Sequence, residues 1–382
     1  MSTEYAVNHL VTQITDCLNN KELGFCILLD FAKAFDTVNH SILIKKLEHY
    51  GIRGLALQWF ISYLSNRQQC TEVGDIQSKL EYVKCGVPQG SVLGPLLFLL
   101  YINDIPNSSS LFKFTLFADD TSLFYSSKNK QDSEETINTE LHKVSAWLSA
   151  NKLSLNVSKS KLLIYSHNLN NKTELKLLIN NEQLNEVDNA KYLGVILDNK
   201  LNWHAHINSI GLRLSKGIGL LAKIRHYVPE SVLRSLYFTF INPFIEYNLI
   251  NWGTAPHTEL DLINKKLKKV IRIISFKDRE HPSLPLFQNL EILPLDLKFK
   301  LSQAKFMWKL ENNLLPTSLS VNFKKNMRNQ YINSLSRLAS LSKHIKFSGI
   351  NLWKSLPVAT KNKPSLKSFS KSLKLHYLHS MN

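Results

Sequence analysis

Two adjacent acidic residues, Asp119 and Asp120, interrupt an apolar stretch and are the first candidates for chemistry. Apolar and aromatic residues fill positions 116–118 before them and 123–125 after them. These flanks predict β-strands and Asp-Asp favours a turn, so we expect a hairpin with two carboxylates at its tip. Like charges this close repel, and a divalent cation between them is the simplest way to keep both ionised. Taken alone, the pair is also compatible with a solvated turn.

A third acid, Asp30, ends another apolar run. Residues 24–29 are short and hydrophobic, which is typical of a buried strand. A carboxylate at the end of such a strand costs free energy unless it is paired or bound to a metal. The apolar positions from Val38 to Tyr50 then predict a helix that Gly51 ends. Without the other acids, Asp30 is also compatible with a turn or cap at a strand end.

A loop rich in glycine and proline lies between these two acidic sites. Residues 86–95 contain three glycines and two prolines and lead into the apolar stretch 96–105. That composition predicts an ordered loop with special backbone angles. Such a loop lets a substrate approach the backbone closely, although an ordinary turn has the same composition.

In this order, the three segments resemble motifs A, B and C of reverse transcriptases, most closely those of non-LTR (LINE-type, jockey-like) retrotransposons. The matching sequences are LDFAKAFD at 29–36, GVPQGS at 86–91 and FADD at 117–120. Residues 153–161 are similar to motif D, and residues 192–195 are similar to motif E, the primer grip. Residues 252–253 and 352–357 extend the resemblance into the C-terminal half.

The resemblance implies an α+β fold: a right-hand polymerase palm, built from an antiparallel sheet with helices, followed by a helical thumb and a helical C-terminal extension. We expect the palm with a remnant of the fingers over residues 1–200, the thumb over 201–275 and the basic extension over 276–382. The implied activity is RNA-directed DNA synthesis, in which dNTPs are added to a primer 3′-hydroxyl by a two-metal mechanism.

The resemblance also assigns roles to individual residues. Asp30, Asp119 and Asp120 are implied to be catalytic and to bind two Mg²⁺ ions, for which Mn²⁺ is a substitute, with the backbone carbonyl of Phe31 as a further ligand. Phe35 is implied to exclude the 2′-hydroxyl of a ribonucleotide, although a core phenylalanine is the simpler alternative. The residues assigned to dNTP binding are Phe35, Gln89, Gly90 and Lys159, and those assigned to the primer grip are Tyr192, Leu193 and Gly194.

Charge is distributed unevenly along the chain. The first 200 residues hold 19 lysines and arginines against 21 acids, whereas residues 201–382 hold 28 against 9. A basic half beside a near-neutral catalytic half suits binding of a phosphate-rich template–primer. The densest cluster reads as a helix with one basic and one apolar face, although a solvated helix surface is the alternative. Its basic residues are Lys265, Lys266, Lys268, Lys269 and Arg272, and its apolar residues are Leu267, Val270, Ile271 and Ile274.

Composition excludes several classes of protein. No apolar run approaches the ~20 residues of a membrane span, and the first residues lack the pattern of a signal peptide. The four cysteines lack C-x-x-C spacing and are typical of reduced thiols, which favours an intracellular location in the nucleus or cytoplasm. His204 and His206, the one suggestive histidine pair, are expected at the surface.

The first residues resemble a segment that follows most of the fingers in the family, so we expect an N-terminally truncated enzyme. Its implied partners are an RNA template, a DNA primer, their RNA–DNA hybrid and dNTPs, with no membrane; the oligomeric state stays open. The alternative function is a catalytically inactive retroelement remnant that only binds nucleic acid through its basic half. The intact acids favour the polymerase, and the missing fingers favour the remnant.

Overall fold

A computed structural model of the 382-residue chain describes residues 2–129, 131–166, 175–328, 330–333 and 335–381. It divides into two compact units, one formed by Glu22–Val187 and the other by Met1–Lys21 together with Asp188–Asn382. The second unit is formed by two stretches that are far apart in sequence and in contact in space. Its N-terminal helix, α1 (Thr3–Asn19), is bonded to the C-terminal half through Asn8 Nδ2 and Asn251 Oδ1, which are 2.9 Å apart. The boundaries expected at residues 200 and 275 stay a prediction.

The described part of the unit of residues 22–187 combines a five-stranded sheet and three two-stranded sheets with four α-helices, as the predicted α+β class requires. Its strands are β1 (Leu23–Leu29), β2 (Gln68–Gln69), β3 (Glu72–Val73), β4 (Ile76–Gln77), β5 (Glu81–Tyr82), β6 (Lys113–Phe117), β7 (Asp120–Ser127), β8 (Lys161–Tyr165), β9 (Leu178–Ile179), β10 (Glu182–Gln183) and β11 (Asn185–Glu186). Its helices are α2 (His40–His49), α3 (Gly54–Leu64), α4 (Leu93–Ile102) and α5 (Gln131–Ala150).

The five-stranded sheet has the order β11-β8-β1-β7-β6, and only β11 and β8 are parallel neighbours. Strand β1 is central, and Phe25, Cys26 and Ile27 within it are fully buried. Helix α4 contributes Leu97 and Phe98 to the same core, and α5 contributes apolar residues three and four positions apart, which is one face of a helix. This packing fixes the C-terminal end of β1, where Asp30 lies.

The helix predicted after Asp30 is confirmed as α2. Asn39 precedes it, and its side chain accepts a hydrogen bond from the Ile42 N–H, which satisfies one of the unpaired donors at a helix start. Leu43 and Leu47 form its buried face. Gly51 follows the helix with a φ of +92°, a left-handed conformation that glycine adopts without a steric cost.

The other unit is mainly helical. Besides α1 it contains the strands β12 (Asn189–Tyr192) and β13 (Val195–Asp198) and the helices α6 (His204–Ile224), α7 (Glu230–Phe240), α8 (Asn242–Glu246), α9 (Leu249–Trp252), α10 (His257–Ile274), α11 (Ser283–Asn289), α12 (Leu295–Glu311), α13 (Thr317–Ser320), α14 (Ile345–Ser355), α15 (Val358–Lys361) and α16 (Leu366–His379).

The prediction that both His204 and His206 lie at the surface is wrong for His206. Residues two positions apart on a helix point in directions about 200° apart. When one of this pair faces solvent, the other therefore faces the core. His204 is exposed, whereas His206 is 5% exposed and its Nδ1 accepts a hydrogen bond from the Ile196 N–H. Burial, with a smaller contribution from Arg213, lowers the pKa of His206 to about 4. It is therefore a neutral core residue at physiological pH.

The cysteines are free thiols, as the sequence predicts. Cys26 lies inside β1, and its burial raises the thiol pKa to about 12, so it is not a nucleophile at neutral pH. Within the described ranges, no helix is long and apolar enough to cross a membrane.

Candidate active site

The ends of two neighbouring strands bring the candidate carboxylates to one edge of the sheet. Strands β1 and β7 are antiparallel, and Leu29 pairs with Thr121, so Asp30 and Asp120 occupy the next positions on the two strands. Opposite residues in such a pair have Cα atoms roughly 4.5–5.5 Å apart. Asp30 is partly buried, whereas Asp119 and Asp120 are exposed. The register therefore places all three acids at the same end of the β1–β7 pair.

The predicted acidic hairpin is confirmed, with a tighter loop than the sequence indicates. Phe117 pairs with Asp120, so only Ala118 and Asp119 form the loop between β6 and β7. Ala118 has a φ of +51°, a left-handed conformation that costs a non-glycine residue about 1–2 kcal/mol. The pairing of the flanking strands holds this turn against that cost. Asp119 is consequently presented at the tip, one residue before the strand that carries Asp120.

The backbone of Asp30 is fixed by a second segment of the chain, residues 154–160. The buried Ser160 hydroxyl accepts a hydrogen bond from the Asp30 N–H at 3.1 Å, and the Asn156 N–H donates to the Asp30 carbonyl at 2.8 Å. Asn156 also closes its own turn, since its side-chain oxygen accepts from the Lys159 N–H. The segment that resembles motif D thus positions the acid of motif A.

The backbone carbonyl of Phe31 lies on the side of the strand that carries the hairpin. Phe31 forms an isolated antiparallel bridge with Leu155, and the flanking bonds run from Asn156 N–H to Asp30 and from Ala32 N–H to Ser154. In a bridge of this kind the central residue directs its own N–H and C=O to the opposite edge. That edge is the one on which β1 pairs with β7.

The donor set at this edge fits a hard divalent cation. Carboxylate and carbonyl oxygens are the ligands that Mg²⁺ prefers. Within the described part of the chain, no lysine, arginine or histidine forms an ion pair with Asp30 or Asp119, so protein cations do not compete for these carboxylates. No three His, Cys, Asp or Glu side chains of the described residues are already gathered into a metal-binding group. The oxygens at this edge are thus of the kind that Mg²⁺ prefers, without forming a gathered metal-binding group in the described ranges of this structure.

The glycine-rich loop packs directly on the segment after Asp30. The Gly86 N–H donates to the Val38 carbonyl at 2.7 Å, and the Val87 N–H donates to the Phe35 carbonyl at 2.8 Å. Gly86 has a φ of +90°, and a Cβ added there would lie 2.7 Å from the Asp36 carbonyl oxygen. Glycine is required here by a close approach of two backbones as well as by its own conformation.

The predicted nucleotide-binding residues of this loop are exposed. Gln89 donates from Nε2 to Asp36 Oδ1 at 2.9 Å, which orients its side chain, and Gly90 has a φ of +79° in open space. Phe35 is partly buried, and its ring lies 4.6 Å from that of Phe98, centroid to centroid. The Phe35 ring is thus supported by the core residue Phe98 while the side chain retains some exposure.

Lys159 and the predicted primer grip lie in different compact units. Lys159 is exposed on the turn that Asn156 closes, in the unit of residues 22–187. In the other unit, Leu193 and Gly194 form a two-residue loop between β12 and β13, and both have positive φ, as a tight hairpin turn requires. The Leu193 carbonyl accepts a hydrogen bond from the Tyr247 hydroxyl. The Tyr192 side chain is 3% exposed, so the accessible part of this segment is the loop.

The predicted amphipathic basic helix is confirmed as α10. Its apolar residues at 267, 270, 271 and 274 are buried, while Lys265, Lys268 and Lys269 are exposed. Lys266 donates to Ser215 Oγ, and Arg272 donates from Nε to the His281 carbonyl. The basic face borders a cavity of about 740 Å³, and most of its other charged lining is also cationic. The remaining lining residues are Arg225, Leu262, Ile273, Lys277, Asp278 and Arg279.

Sequence reasoning missed the residues that position the others. Asn156 and Ser160 fix Asp30, Asp36 orients Gln89, and His40 donates from Nε2 to the Gly86 carbonyl. Asn156 lies three residues before Lys159, which is a recognisable side-chain turn. The contact between Ser160 and Asp30 spans 130 residues and has no local signal.

Comparison with known proteins identifies the family of this chain. Residues 3–197 match the model of the family described as reverse transcriptase (RNA-dependent DNA polymerase). The "Probable RNA-directed DNA polymerase from transposon X-element" of Drosophila melanogaster is 30% identical over 279 residues, which cover 70% of this chain and 30% of the relative. The RNA-directed DNA polymerase from mobile element jockey of the same organism is 24% identical over 328 residues, 83% of this chain and 35% of the relative.

Among solved structures, apo telomerase from Candida tropicalis aligns with 91% of this chain and 56% of its own chain, at 10% identity and a TM-score of 0.40. The chain spans about a third of the length of the curated relatives it matches. The family match covers about half of this chain and includes the segments that resemble motifs A to E. The chain belongs to the reverse transcriptase (RNA-dependent DNA polymerase) family, and its relatives are polymerases of non-LTR, LINE-type mobile elements.

Proposed function

We propose that this chain is an RNA-directed DNA polymerase that adds dNTPs to a primer 3′-hydroxyl on an RNA template. The observation that carries the proposal is the register of β1 with β7, which sets Asp30 beside Asp120 and the Asp119 loop. The unit of residues 22–187 would then act as the palm. The helical unit would act as the thumb and basic extension. The enzyme would act on its RNA and DNA substrates in the nucleus or the cytoplasm.

In the proposed reaction, the primer 3′-oxygen attacks the α-phosphorus of the dNTP, the bond to the β-phosphate breaks and pyrophosphate leaves. Asp30, Asp119, Asp120 and the Phe31 carbonyl would hold Mg²⁺. Mg²⁺ held by these oxygens would lower the pKa of the attacking hydroxyl and would stabilise the charge on the transferring phosphate.

The remaining residues bind and orient the substrates. Asn156 and Ser160 keep Asp30 in place through its backbone, and Asp36 holds Gln89 toward the incoming nucleotide. Lys159 would neutralise or protonate the leaving pyrophosphate. The Leu193–Gly194 loop, with Tyr192 beneath it, would support the primer end. These are roles of position and charge, which supply most of the catalysis in phosphoryl transfer.

Primer extension tests the proposal. The wild-type chain is incubated with an RNA template, a DNA primer, dNTPs and Mg²⁺, and then with excess chelator. We expect template-dependent extension that the chelator abolishes and Mg²⁺ restores. No extension by a chain that still binds the hybrid would identify a non-catalytic nucleic-acid-binding remnant instead.

The role proposed for Phe35 predicts a change in sugar selectivity. In Phe35→Ala the space beside the sugar opens, so incorporation of ribonucleotides relative to deoxynucleotides should rise by about tenfold or more. The measurement is the ratio of kcat/KM for dNTP and rNTP. Because Phe35 packs on Phe98, Phe98→Leu is the control: it loosens the same ring pair and keeps the Phe35 ring. Equal selectivity in wild type and Phe35→Ala would exclude the role.

The basic face of α10 is proposed to contact backbone phosphates of the template–primer. Its lysines are numerous, exposed and grouped beside one concave surface, which suits a ligand with regularly spaced negative charges. Recognition would depend on the shape and backbone of an RNA–DNA hybrid rather than on base sequence.

Neutralising two of these lysines should weaken hybrid binding in a salt-dependent way. For Lys268→Gln/Lys269→Gln we expect the slope of log K against log salt to become less negative by about 1.8, that is ~0.9 for each lost phosphate contact. Fluorescence anisotropy with a labelled hybrid at several salt concentrations measures this slope. The control is the double variant Lys300→Gln/Lys371→Gln, which replaces two exposed lysines outside that cavity. A slope unchanged from wild type would place the hybrid elsewhere.

A further inference from the structure

A second cavity lies within the helical unit and has no part in the proposed polymerase reaction. Its volume is about 720 Å³, which is the size of cavities that bind organic ligands such as nucleotides. Residues of α1, α7, α8, α9, α12 and α16 contribute to its lining. The walls are partly apolar, with Phe238, Leu301 and Phe306 among them. The cavity therefore offers space and apolar surface for an organic group.

Lysine ammonium groups dominate the polar lining. Five lysines and three glutamates border the cavity. Lys298 is 6% exposed and donates to Asn242 Oδ1 at 2.6 Å, with Glu246 at 3.5 Å. A lysine buried to this degree is costly unless nearby negative charge or hydrogen bonds compensate it. Glu246 itself is half exposed.

Several of these lysines form no direct ion pair with a described residue, although Glu4 also lines the cavity; burial raises the pKa of Glu4, and the charges of Lys309 and Lys305 act against that shift. Among the described residues, Lys305, Lys367 and Lys374 form no ion pair, whereas Glu246 and Glu291 already pair with Lys298 and Arg234. The lining lysines also disfavour one another's charge. Burial lowers the pKa of Lys298 to about 8; Glu246 opposes this shift, and the neighbouring ammoniums of Lys374 and Lys305 add to it to a smaller extent. Burial likewise lowers the pKa of Lys374, and the carboxylates of Glu291 and Glu246 act against that shift. The lining holds two more lysines than glutamates.

We propose that this cavity binds a multiply charged organic phosphate of nucleotide size, with its phosphates on Lys305, Lys367 and Lys374 and its organic group on the apolar walls. Lysine binds phosphate as a compact charge with several donors, and three ammoniums can share two or three phosphate groups. Two sources supply this chemistry: a free nucleotide, or the phosphorylated end of a nucleic-acid strand.

Binding is tested with the whole chain carrying Asp30→Asn/Asp119→Asn, in EDTA, so that metal-dependent binding at the proposed active site does not contribute. The probes are ATP and a short single-stranded oligonucleotide with a 5′-phosphate, both followed by titration calorimetry. Lys305→Gln/Lys374→Gln is compared with Lys300→Gln/Lys371→Gln. Each pair removes one lysine from α12 and one from α16, and the control lysines do not line the cavity.

We expect one of the probes to bind, and the cavity variant to weaken that binding by about tenfold or more, as loss of two charge-assisted contacts implies. The control variant should match the parent protein. Binding of ATP assigns the cavity to free nucleotides, and binding of the oligonucleotide alone assigns it to strand ends. Binding of neither probe, or equal affinity in the cavity and control variants, would overturn the proposal. Because catalysis is not measured, either result is independent of the polymerase proposal.

Discussion

Asp119→Asn is expected to lower primer extension about a thousandfold while leaving hybrid affinity within a few-fold of wild type. The substitution keeps the shape of the side chain and removes the charge that would bind metal. Loss of roughly 4 kcal/mol of stabilisation of the transition state corresponds to this factor. Asp119 is exposed in the hairpin loop, so the change should not unfold the sheet. Single-turnover extension and anisotropy with a labelled hybrid measure the two effects.

The chain contains a closely matched control for this experiment. Asp75 is also the second residue of a two-residue hairpin loop, since Val73 pairs with Ile76, and it is likewise exposed. Asp75→Asn should leave extension unchanged. Binding of Mn²⁺, followed by its paramagnetic signal, should weaken in Asp119→Asn and not in Asp75→Asn. A large loss of hybrid binding in Asp119→Asn, or full activity, would contradict a catalytic role for this carboxylate.

Gly86→Ala is expected to lower the free energy of unfolding of the palm by about 3 kcal/mol. Part of this cost is conformational, because an alanine at a φ of +90° is strained by about 1–2 kcal/mol. The rest is steric, because the new methyl group would lie 2.7 Å from the Asp36 carbonyl oxygen and backbone would have to move. Chemical denaturation followed by circular dichroism measures the change.

Gly90→Ala separates the two contributions. Gly90 has a φ of +79° but no atom within 4 Å of an added Cβ, so its replacement should cost only the conformational part, about 1–2 kcal/mol. If the two variants lose the same free energy of unfolding, the close approach to the Asp36 backbone does not contribute to the requirement for glycine at position 86. Gly86→Ala should also reduce extension, because it displaces the loop that carries Gln89.

Local sequence was sufficient to predict the strands, helices and turns whose patterns extend over a few residues. Continuous apolar runs predicted β1 and β7, and apolar positions three to five residues apart predicted the helix α2, because these patterns are properties of residues close in sequence. Asp-Asp between two such runs predicted the hairpin, and the 3–4 residue spacing of apolar positions predicted the two faces of α10. The motif order then identified the family, which the comparison confirmed.

Other features depended on contacts between distant parts of the chain. Gly86 and Gly90 are the same residue type. Of the two, only Gly86 lies against another part of the backbone, that of Asp36. His204 and His206 look alike in sequence, and only packing against the helical core buries His206. Residue type alone therefore predicts neither the difference between the two glycines nor the difference between the two histidines.

The sequence alone therefore determined the three candidate carboxylates, the acidic hairpin, the basic helix and the family. Tertiary structure alone determined that Ser160 and Asn156 fix Asp30, that Asp36 orients Gln89, and that α1 joins the C-terminal half. The physical reason is that strand and helix patterns arise from backbone geometry over a few residues. Positioning contacts arise when packing brings together groups that are up to 243 residues apart, as for Asn8 and Asn251.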